Sequence, residues 1–355
     1  HDLALICYTS GTTGPPKGAM IRHANLTYQA AMTVRWYGLA EHEPVITLPP
    51  LFHITGMGQN LAMCLGNGLP LILTYRFEPR TVVRLIEQHR PVYGIAAITA
   101  FVALSAEPTA SADNLGSVRA LYSGGAAVPA GVVAAFQERF GAYIHNAYGL
   151  TECASACILV PIGEAAPVDP TSGALSIGRA VPGTTVSVVD DSGAPAAPGT
   201  IGELVVDGPG VCAGYWGKPD ETSHAFRADG LHTGDVGFLD EDGWIYIVDR
   251  KKDLVVVSGY KVWPREVEDV LYQHAGVREV AVVGIPDEYR GETVIAFVVL
   301  HEGAEVTEDD LRGHCRHLLS AYKCPTEFHL IDGLPKTASG KVLRRELAAA
   351  RIAGA

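Results

Sequence analysis

Residues 8–20 read YTSGTTGPPKGAM, and the fold turns on what this stretch is for. A Walker-type phosphate loop requires Gly, four residues, then Gly-Lys-Ser/Thr. Counted from Gly11, the second glycine falls on Pro16, and Lys17 is followed by Gly18, so the spacing fails. The residue types still suit a phosphate. Gly11, Gly14 and Gly18 permit backbone geometries that turn N–H groups toward an anion. Tyr8, Thr9, Ser10, Thr12 and Thr13 supply hydroxyls, Pro15-Pro16 stiffens the exit, and Lys17 adds a mobile charge. A plain Gly/Ser/Thr turn between strands is the competing reading. It loses ground only if the rest of the chain supplies a base pocket, a ribose anchor and a metal ligand.

The bulk properties leave room for such a site. A chain of 355 residues can build two domains with separate cores. Its 27 basic and 39 acidic side chains give a net charge of -12, and no block of like charge marks a nucleic-acid footprint. Apolar runs are short, so no transmembrane segment or signal peptide is expected. The seven cysteines are odd in number and scattered. Cys153 and Cys157 have no second pair or His cluster to complete a zinc site, and a reducing cytoplasm is the natural setting.

Along the chain, Leu3 to Tyr8 reads as a short strand. TVVRLIEQH (81–89) has helical spacing and is stopped by Pro91, and VYGIAAI follows as a buried strand. VRALYSGG is a strand ending in glycines, Pro129 opens a helix facing inward through Val132, Val133, Phe136 and Phe140, and AYIHNAYG is the next strand. This rhythm predicts a parallel sheet flanked by helices, with ligands at the carboxyl ends of its strands. SGGAA (123–127) and NAYGLTE (146–152) then share one rim. From about residue 175, alternating β-branched residues and Gly/Pro/Asp turns predict a small antiparallel barrel closing on an Asp-Gly hairpin at 237–250. After Arg250 the charged run KKD separates this region from a compact α+β unit. Its helix from Pro264 buries Val267, Val270 and Leu271 and sets Glu266, Glu268 and Asp269 in its early turns, where the helix dipole favours anions.

Six polar groups stand where a core would not choose them. Tyr148 offers a ring that could stack on a base, Thr151 a hydroxyl, and Glu152 a carboxylate suited to Mg²⁺ shared with phosphates. Asp235, after a tight Gly turn in LHTGDVG, could accept both hydroxyls of a ribose, and Arg250 could brace the same sugar. Lys341 lies on the Gly/Ser turn of PKTASGKVLRREL, ahead of a terminal helix. Taken singly, Asp235 reads equally as a turn residue, Tyr148 as a core aromatic and Lys341 as a solvated lysine.

Taken together, the stretches YTSGTTGPPKGAM, LPPLFHITGM, NAYGLTE, GYWGKPDET, LHTGDVGFLDEDGWIYIVDRKKD, SGYKVWPREVEDVL, GIPDEYRGE and PKTASGKVLRREL span the chain. The sequence resembles the adenylate-forming superfamily of acyl-CoA synthetases, firefly-type luciferases and peptide-synthetase adenylation domains. In its LFHITGM and C-terminal stretches it looks most like bacterial medium- and long-chain fatty-acid–CoA ligases. The resemblance implies an α/β adenylate-forming fold: a parallel sheet with flanking helices, a small β-barrel, then a mobile α+β domain. It divides the chain into a large AMP-binding domain over 1–251 and a C-terminal lid over 252–355. Family members carry a subdomain ahead of the glycine-rich loop; the chain begins at His1, one strand before that loop, so it reads as starting mid-domain.

The same resemblance implies the chemistry. A carboxylic acid attacks the α-phosphate of Mg-ATP, giving an acyl-adenylate and pyrophosphate, and a thiol, usually that of coenzyme A, then takes the acyl group and releases AMP. Thr9, Ser10, Gly11, Thr12, Thr13, Gly14 and Lys17 would hold the β- and γ-phosphates, Gly124, Gly125, Ala126, Ala147, Tyr148 and Gly149 the adenine, and Asp235 and Arg250 the ribose. Thr151 and Lys341 would hold the α-phosphate and the attacking carboxylate, and Glu152 the Mg²⁺. Lys252 would be the pivot of domain rotation, and Ser258, Gly259 and Tyr260 would face the pantetheine tunnel. His53 and Gly149 would border the acyl pocket, although His53 reads equally as a satisfied buried histidine. Peptide-synthetase domains place an Asp in the segment matching LFHITGM to bind an amino group; its absence here argues against an α-amino acid. The sequence leaves open an aryl acid, a carrier-protein thiol as acceptor, a noncatalytic nucleotide-binding role, a luciferase-like oxygenase and a homodimeric state.

Overall fold

The strand expected ahead of the glycine-rich loop forms over Leu3–Tyr8 (β1) and pairs antiparallel with Gly18–Arg22 (β2). The structure is a computed structural model that describes residues 2–9, 15–126, 128–170, 173–190, 192–250, 252–337 and 340–353. Ser10, Gly11, Thr12, Thr13 and Gly14 therefore lie outside the described residues, as do Ala127 and Lys251.

A seven-stranded sheet carries the next part of the chain. Its strands are Val45–Thr47 (β3), Leu71–Leu73 (β4), Tyr93–Ala96 (β5), Ala120–Gly124 (β6), Ile144–Leu150 (β7), Ser155–Leu159 (β8) and Arg179–Ala180 (β9), in the order β4-β3-β5-β6-β7-β8-β9. From β4 to β7 the pairing is parallel, as the strand–helix rhythm predicts. Beyond β7 the sheet continues with β8 and β9, which pair antiparallel. The cause is chain length: only the short turn Thr151–Cys153 and Ala154 separate β7 from β8, too few residues for a crossover.

Alternate strand residues feed two cores, one on each face of this sheet. Ile46, Leu121 and Ile144 pack with Val82, Val83 and Ile86 of the helix Pro79–His89 and with Val133, Phe136 and Phe140 of the helix Ala130–Phe140. Val45, Tyr93, Ile95 and Tyr122 pack on the other face with Met32 and Tyr37. The first of these helices starts where its sequence permits. Glu78 accepts from the backbone N–H groups of Arg80 and Thr81, and Pro79 loses nothing at a position whose N–H would be unpaired.

The region read as a barrel forms a five-stranded antiparallel sheet of Thr185–Val189 (β10), Gly202–Asp207 (β11), Phe226–Arg227 (β12), Gly230–Leu239 (β13) and Ile245–Arg250 (β14). A third sheet follows from Val255–Val257 (β15), Tyr260–Val262 (β16), Val277–Asp287 (β17), Gly291–Leu300 (β18) and Glu327–Leu330 (β19). The helix Pro264–Tyr272 lays Val267 and Leu271 into this sheet's own core.

The acids of that helix do something other than complement its dipole. Glu268 is buried and takes two 2.8 Å bonds from Arg344, 76 residues further on; Asp269 faces Arg265 at 3.6 Å, and Glu266 pairs with Lys323. The helix N-terminus is instead served by Asp249 of β14, which accepts from the backbone N–H of Arg265 at 2.8 Å. Burial pushes the Asp249 carboxyl up to about 6, against the lowering effect of Arg344. Glu268→Ala leaves the Arg344 guanidinium without its bidentate partner. The expected loss is roughly 3 kcal/mol of stability, read as a shifted urea midpoint at unchanged m-value.

Candidate active site

Thr9 and Lys17, which flank the glycine-rich stretch, are tied to each other. Thr9 N–H donates to the carbonyl of Lys17 at 2.9 Å, and Lys17 N–H donates back to Thr9 Oγ1 at 3.1 Å. The Lys17 side chain sets its ammonium 4.2 Å from the centroid of the Tyr215 ring. The Tyr215 hydroxyl in turn donates to Glu152 Oε1 at 2.6 Å. Two residues expected at the phosphates are thus joined through a third that the sequence reading did not single out. Its only signal there was the stretch GYWGKPDET.

Gly124, Gly125 and Ala126 leave the carboxyl end of β6, and Ala147, Tyr148 and Gly149 run along β7 beside them. At Gly149 the strands are pinched. A Cβ there would lie 1.8 Å from the carbonyl oxygen of Ser155, so no other residue fits. The partner side holds Ala154 and Ser155 at positive φ, 54° and 123°, unusual for residues with a side chain. Thr151 opens the turn between them and is half-buried.

Tyr148 does not stand alone as a platform: its hydroxyl donates to Asp235 Oδ2 at 2.6 Å, while Arg250 Nε donates to Asp235 Oδ1 at 3.2 Å. The register of β13 and β14 sets this up by pairing Asp235 directly with Arg250. Asp235 is 5% exposed, and its own N–H bonds Thr233 Oγ1, which locks the turn. Three residues named for the base and the ribose therefore form one hydrogen-bonded chain.

Lys341 comes to the same place from the far end of the sequence. Its turn is tied by Thr337 N–H to the Lys341 carbonyl at 2.8 Å and by Lys341 N–H to Thr337 Oγ1 at 3.1 Å. Gly125 has φ +83°, and a Cβ on it would lie 3.7 Å from Lys341 Cε, so the lysine stem runs over the glycine rim. Burial and, next, the charge of Arg250 lower the lysine's pKa, while the carboxylates of Asp235 and Glu152 oppose that. His53 belongs to the cluster as well. Burial first, and Lys341 second, hold its imidazole down to about 4, so it is neutral near pH 7. The N–H of Thr55 donates to His53 Nδ1 at 3.3 Å, which leaves the ring proton on Nε2. Just beyond, Gly56–Ala62 winds as a π-helix, a geometry the sequence did not announce.

Some expected members stay apart from this cluster. Ser258 and Gly259 form the two-residue tip of the β15–β16 hairpin with φ of 50° and 85°, and Tyr260 is exposed against Tyr322. Among the described residues, no interaction joins them to Lys341, Asp235 or Glu152. Lys252 lies exposed in the turn between β14 and β15. Among the described residues, too, no helix is long and apolar enough to cross a membrane, and no group of three or more His, Cys, Asp or Glu side chains converges as a metal site. Glu152 nonetheless fits Mg²⁺ as a single carboxylate, since that ion binds through one or two carboxylates and completes its shell with waters and phosphates.

A neutral histidine, a lysine stem over a glycine rim, a carboxylate braced by Arg and Tyr, and a second carboxylate beside a lysine-ended loop now stand together. Residues 1–216 match the model of the AMP-binding enzymes, and residues 266–341 match that of the AMP-binding enzyme C-terminal domain. The chain belongs to the AMP-binding enzyme family. It is 39% identical over 350 residues to a long-chain-fatty-acid–CoA ligase of Bacillus subtilis (strain 168), with 98% of this chain and 61% of that protein covered. It is 37% identical over 346 residues to a feruloyl-CoA synthase of Amycolatopsis sp, covering 98% and 69%. The chain thus spans about three-fifths of the length of the fatty-acid ligase. ATP-bound MatB from Rhodopseudomonas palustris superposes with a TM-score of 0.91 at 32% identity, over 98% of this chain and 68% of that one. The apo form of MatB, matched over the same share, gives 0.77. This AMP-binding chain is therefore arranged more like the ATP-bound form than like the apo form.

Proposed function

We propose that the chain is the working part of an AMP-forming acid–CoA ligase. The observation that carries this reading is Lys341. It reaches from the C-terminal region over Gly125 into a cleft that already holds His53, Glu152, Asp235 and Arg250. In this reading Asp235, Arg250 and Tyr148 hold the nucleoside of ATP, Lys17 and the loop from Thr9 hold the departing pyrophosphate, and Glu152 would hold Mg²⁺, which neutralises phosphate charge. Lys341 and Thr151 bring the substrate carboxylate and the α-phosphate together against their mutual repulsion, so catalysis is chiefly positioning and charge stabilisation. His53, neutral, can donate through Nε2 without adding charge at the acyl end. The two domains would be 1–251 and 252–355, with Lys252 the pivot and Ser258, Gly259 and Tyr260 the turn along which CoA enters after rotation.

For the acid we favour a medium- or long-chain fatty acid. Apolar neighbours flank His53 in LFHITGM, no acid stands there to bind an amino group, and the similarity to the Bacillus subtilis fatty-acid ligase supports the same class. The feruloyl-CoA synthase similarity favours an aryl acid as second reading. The test is pyrophosphate release with ATP and Mg²⁺ across fatty, aryl and amino acids, followed by addition of CoA or of a carrier protein bearing its thiol. Release with fatty acids and thioester formation on CoA are expected; release with no acid in the panel would refute the ligase reading.

The pivot has its own test. Proline fixes φ near −65°, so Lys252→Pro is expected to freeze one orientation. Pyrophosphate release then stays within a few-fold of wild type while acyl-CoA formation collapses. Proportional loss of both steps would move the pivot elsewhere.

A further inference from the structure

We propose that Tyr215 is a positioning residue that holds Lys17 and Glu152 in one fixed relation at the phosphate end of the cleft. The inference rests on the nucleotide-binding reading above but assigns a residue that reading did not use.

The backbone places Tyr215 between the two. Met20 N–H donates to the carbonyl of Gly214 at 2.9 Å, Ala213 N–H to that of Met20 at 3.1 Å, and Trp216 N–H to that of Gly18 at 2.8 Å, so the segment runs as an extra strand beside β2. Cys212 N–H donates to the carbonyl of Glu152 at 2.8 Å. One segment thus grips the strand leaving Lys17 and the turn carrying Glu152. The side chain repeats the link. Tyr215 is 4% exposed, its hydroxyl bonds Glu152 Oε1, its face receives the Lys17 ammonium, and Phe226 meets it edge-on at 5.4 Å. A short bond from a neutral donor to a carboxylate is among the stronger hydrogen bonds, and it fixes which oxygen of Glu152 is taken and which is left for a ligand. A cation over a buried ring is held without a carboxylate partner, which leaves its charge free for phosphate. A direct Lys17–Glu152 ion pair would cancel both groups. The tyrosine keeps them close and uncancelled.

Two substitutions separate the two ends of this device. Tyr215→Phe deletes the hydroxyl and keeps the ring under Lys17 and beside Phe226. Tyr215→Leu deletes both. Binding of ATP to the full chain is measured calorimetrically with and without Mg²⁺, and folding is checked by thermal unfolding. For Tyr215→Phe we expect metal-free ATP binding within about twofold of wild type, and a loss of about tenfold in the affinity gained from Mg²⁺, the value of one hydrogen bond to a charged group. Tyr215→Leu should weaken metal-free binding as well. In a Glu152→Ala background, Tyr215→Phe should have no further effect on the metal dependence. An unchanged Mg²⁺ gain in Tyr215→Phe, or an equal loss with and without Mg²⁺ beside a lowered unfolding temperature, would overturn the proposal while leaving the nucleotide reading intact. A wild-type chain that binds no ATP under either condition would overturn both.

Discussion

Lys341→Ala is expected to slow pyrophosphate release by about 10²–10³-fold, the range seen when one preorganised charge-stabilising donor is removed from an active site. Three observations lead us to expect the largest effect at this residue. Its turn is clamped by reciprocal bonds with Thr337, so the side chain leaves a fixed backbone. Its stem passes over Gly125, where a Cβ would already be in contact. Its ammonium feels Arg250, Asp235 and Glu152 and itself acts on His53, which places it at the junction of the groups assigned to sugar, metal and acid. Partly shielded from water, such a charge acts at a lower effective dielectric than a surface lysine does. The half-reactions should separate. If the lysine serves adenylation alone, thioester formation from supplied acyl-adenylate remains within a few-fold of wild type. Equal loss in both steps would show a general defect in place of a catalytic one.

What the sequence disclosed and what it hid follow one line: local grammar was readable, long-range partnership was not. Leu3–Tyr8 emerged with the bounds read from it, and the helix read over 81–89 begins two residues earlier, at Pro79, with Glu78 as its cap. Those features are decided within a turn or two of chain. Glu268 was read as a helix-dipole acid because Arg344, its actual partner, lies 76 residues away. Tyr215 escaped because its carboxylate lies 63 residues back, and the antiparallel turn at β8 because it depends on linker length rather than on residue pattern. The candidate site residues stood out for a different reason. Unusual polar groups cluster in short stretches whose order resembles a family, and resemblance carries three-dimensional information that periodicity does not. The joining of Tyr148, Asp235 and Arg250 into one chain needed coordinates.

That chain yields the second large effect. Asp235→Ala is expected to raise the KM for ATP by about 10–100-fold, equivalent to losing one or two hydrogen bonds from a buried charged acceptor. Both oxygens are already engaged, one by the Tyr148 hydroxyl at 2.6 Å and the other by Arg250 Nε at 3.2 Å. A carboxylate nevertheless offers about four acceptor positions, so each oxygen retains one for a ribose hydroxyl. Alanine removes these, leaves the Tyr148 hydroxyl without its acceptor and takes the Asp235 carboxylate from Arg250, so some loss of stability accompanies the loss of affinity. Asp235→Asn separates the two effects. The amide keeps one acceptor oxygen, whose two lone pairs can take the tyrosine bond and one sugar contact, but gives up the charge that pairs with Arg250. If Asp235 anchors the sugar, the asparagine variant unfolds near the wild-type temperature and still needs far more ATP to reach half-maximal pyrophosphate release. If it is only a brace between β7 and β14, unfolding temperature falls in both variants while the ATP dependence of the folded fraction stays where it was.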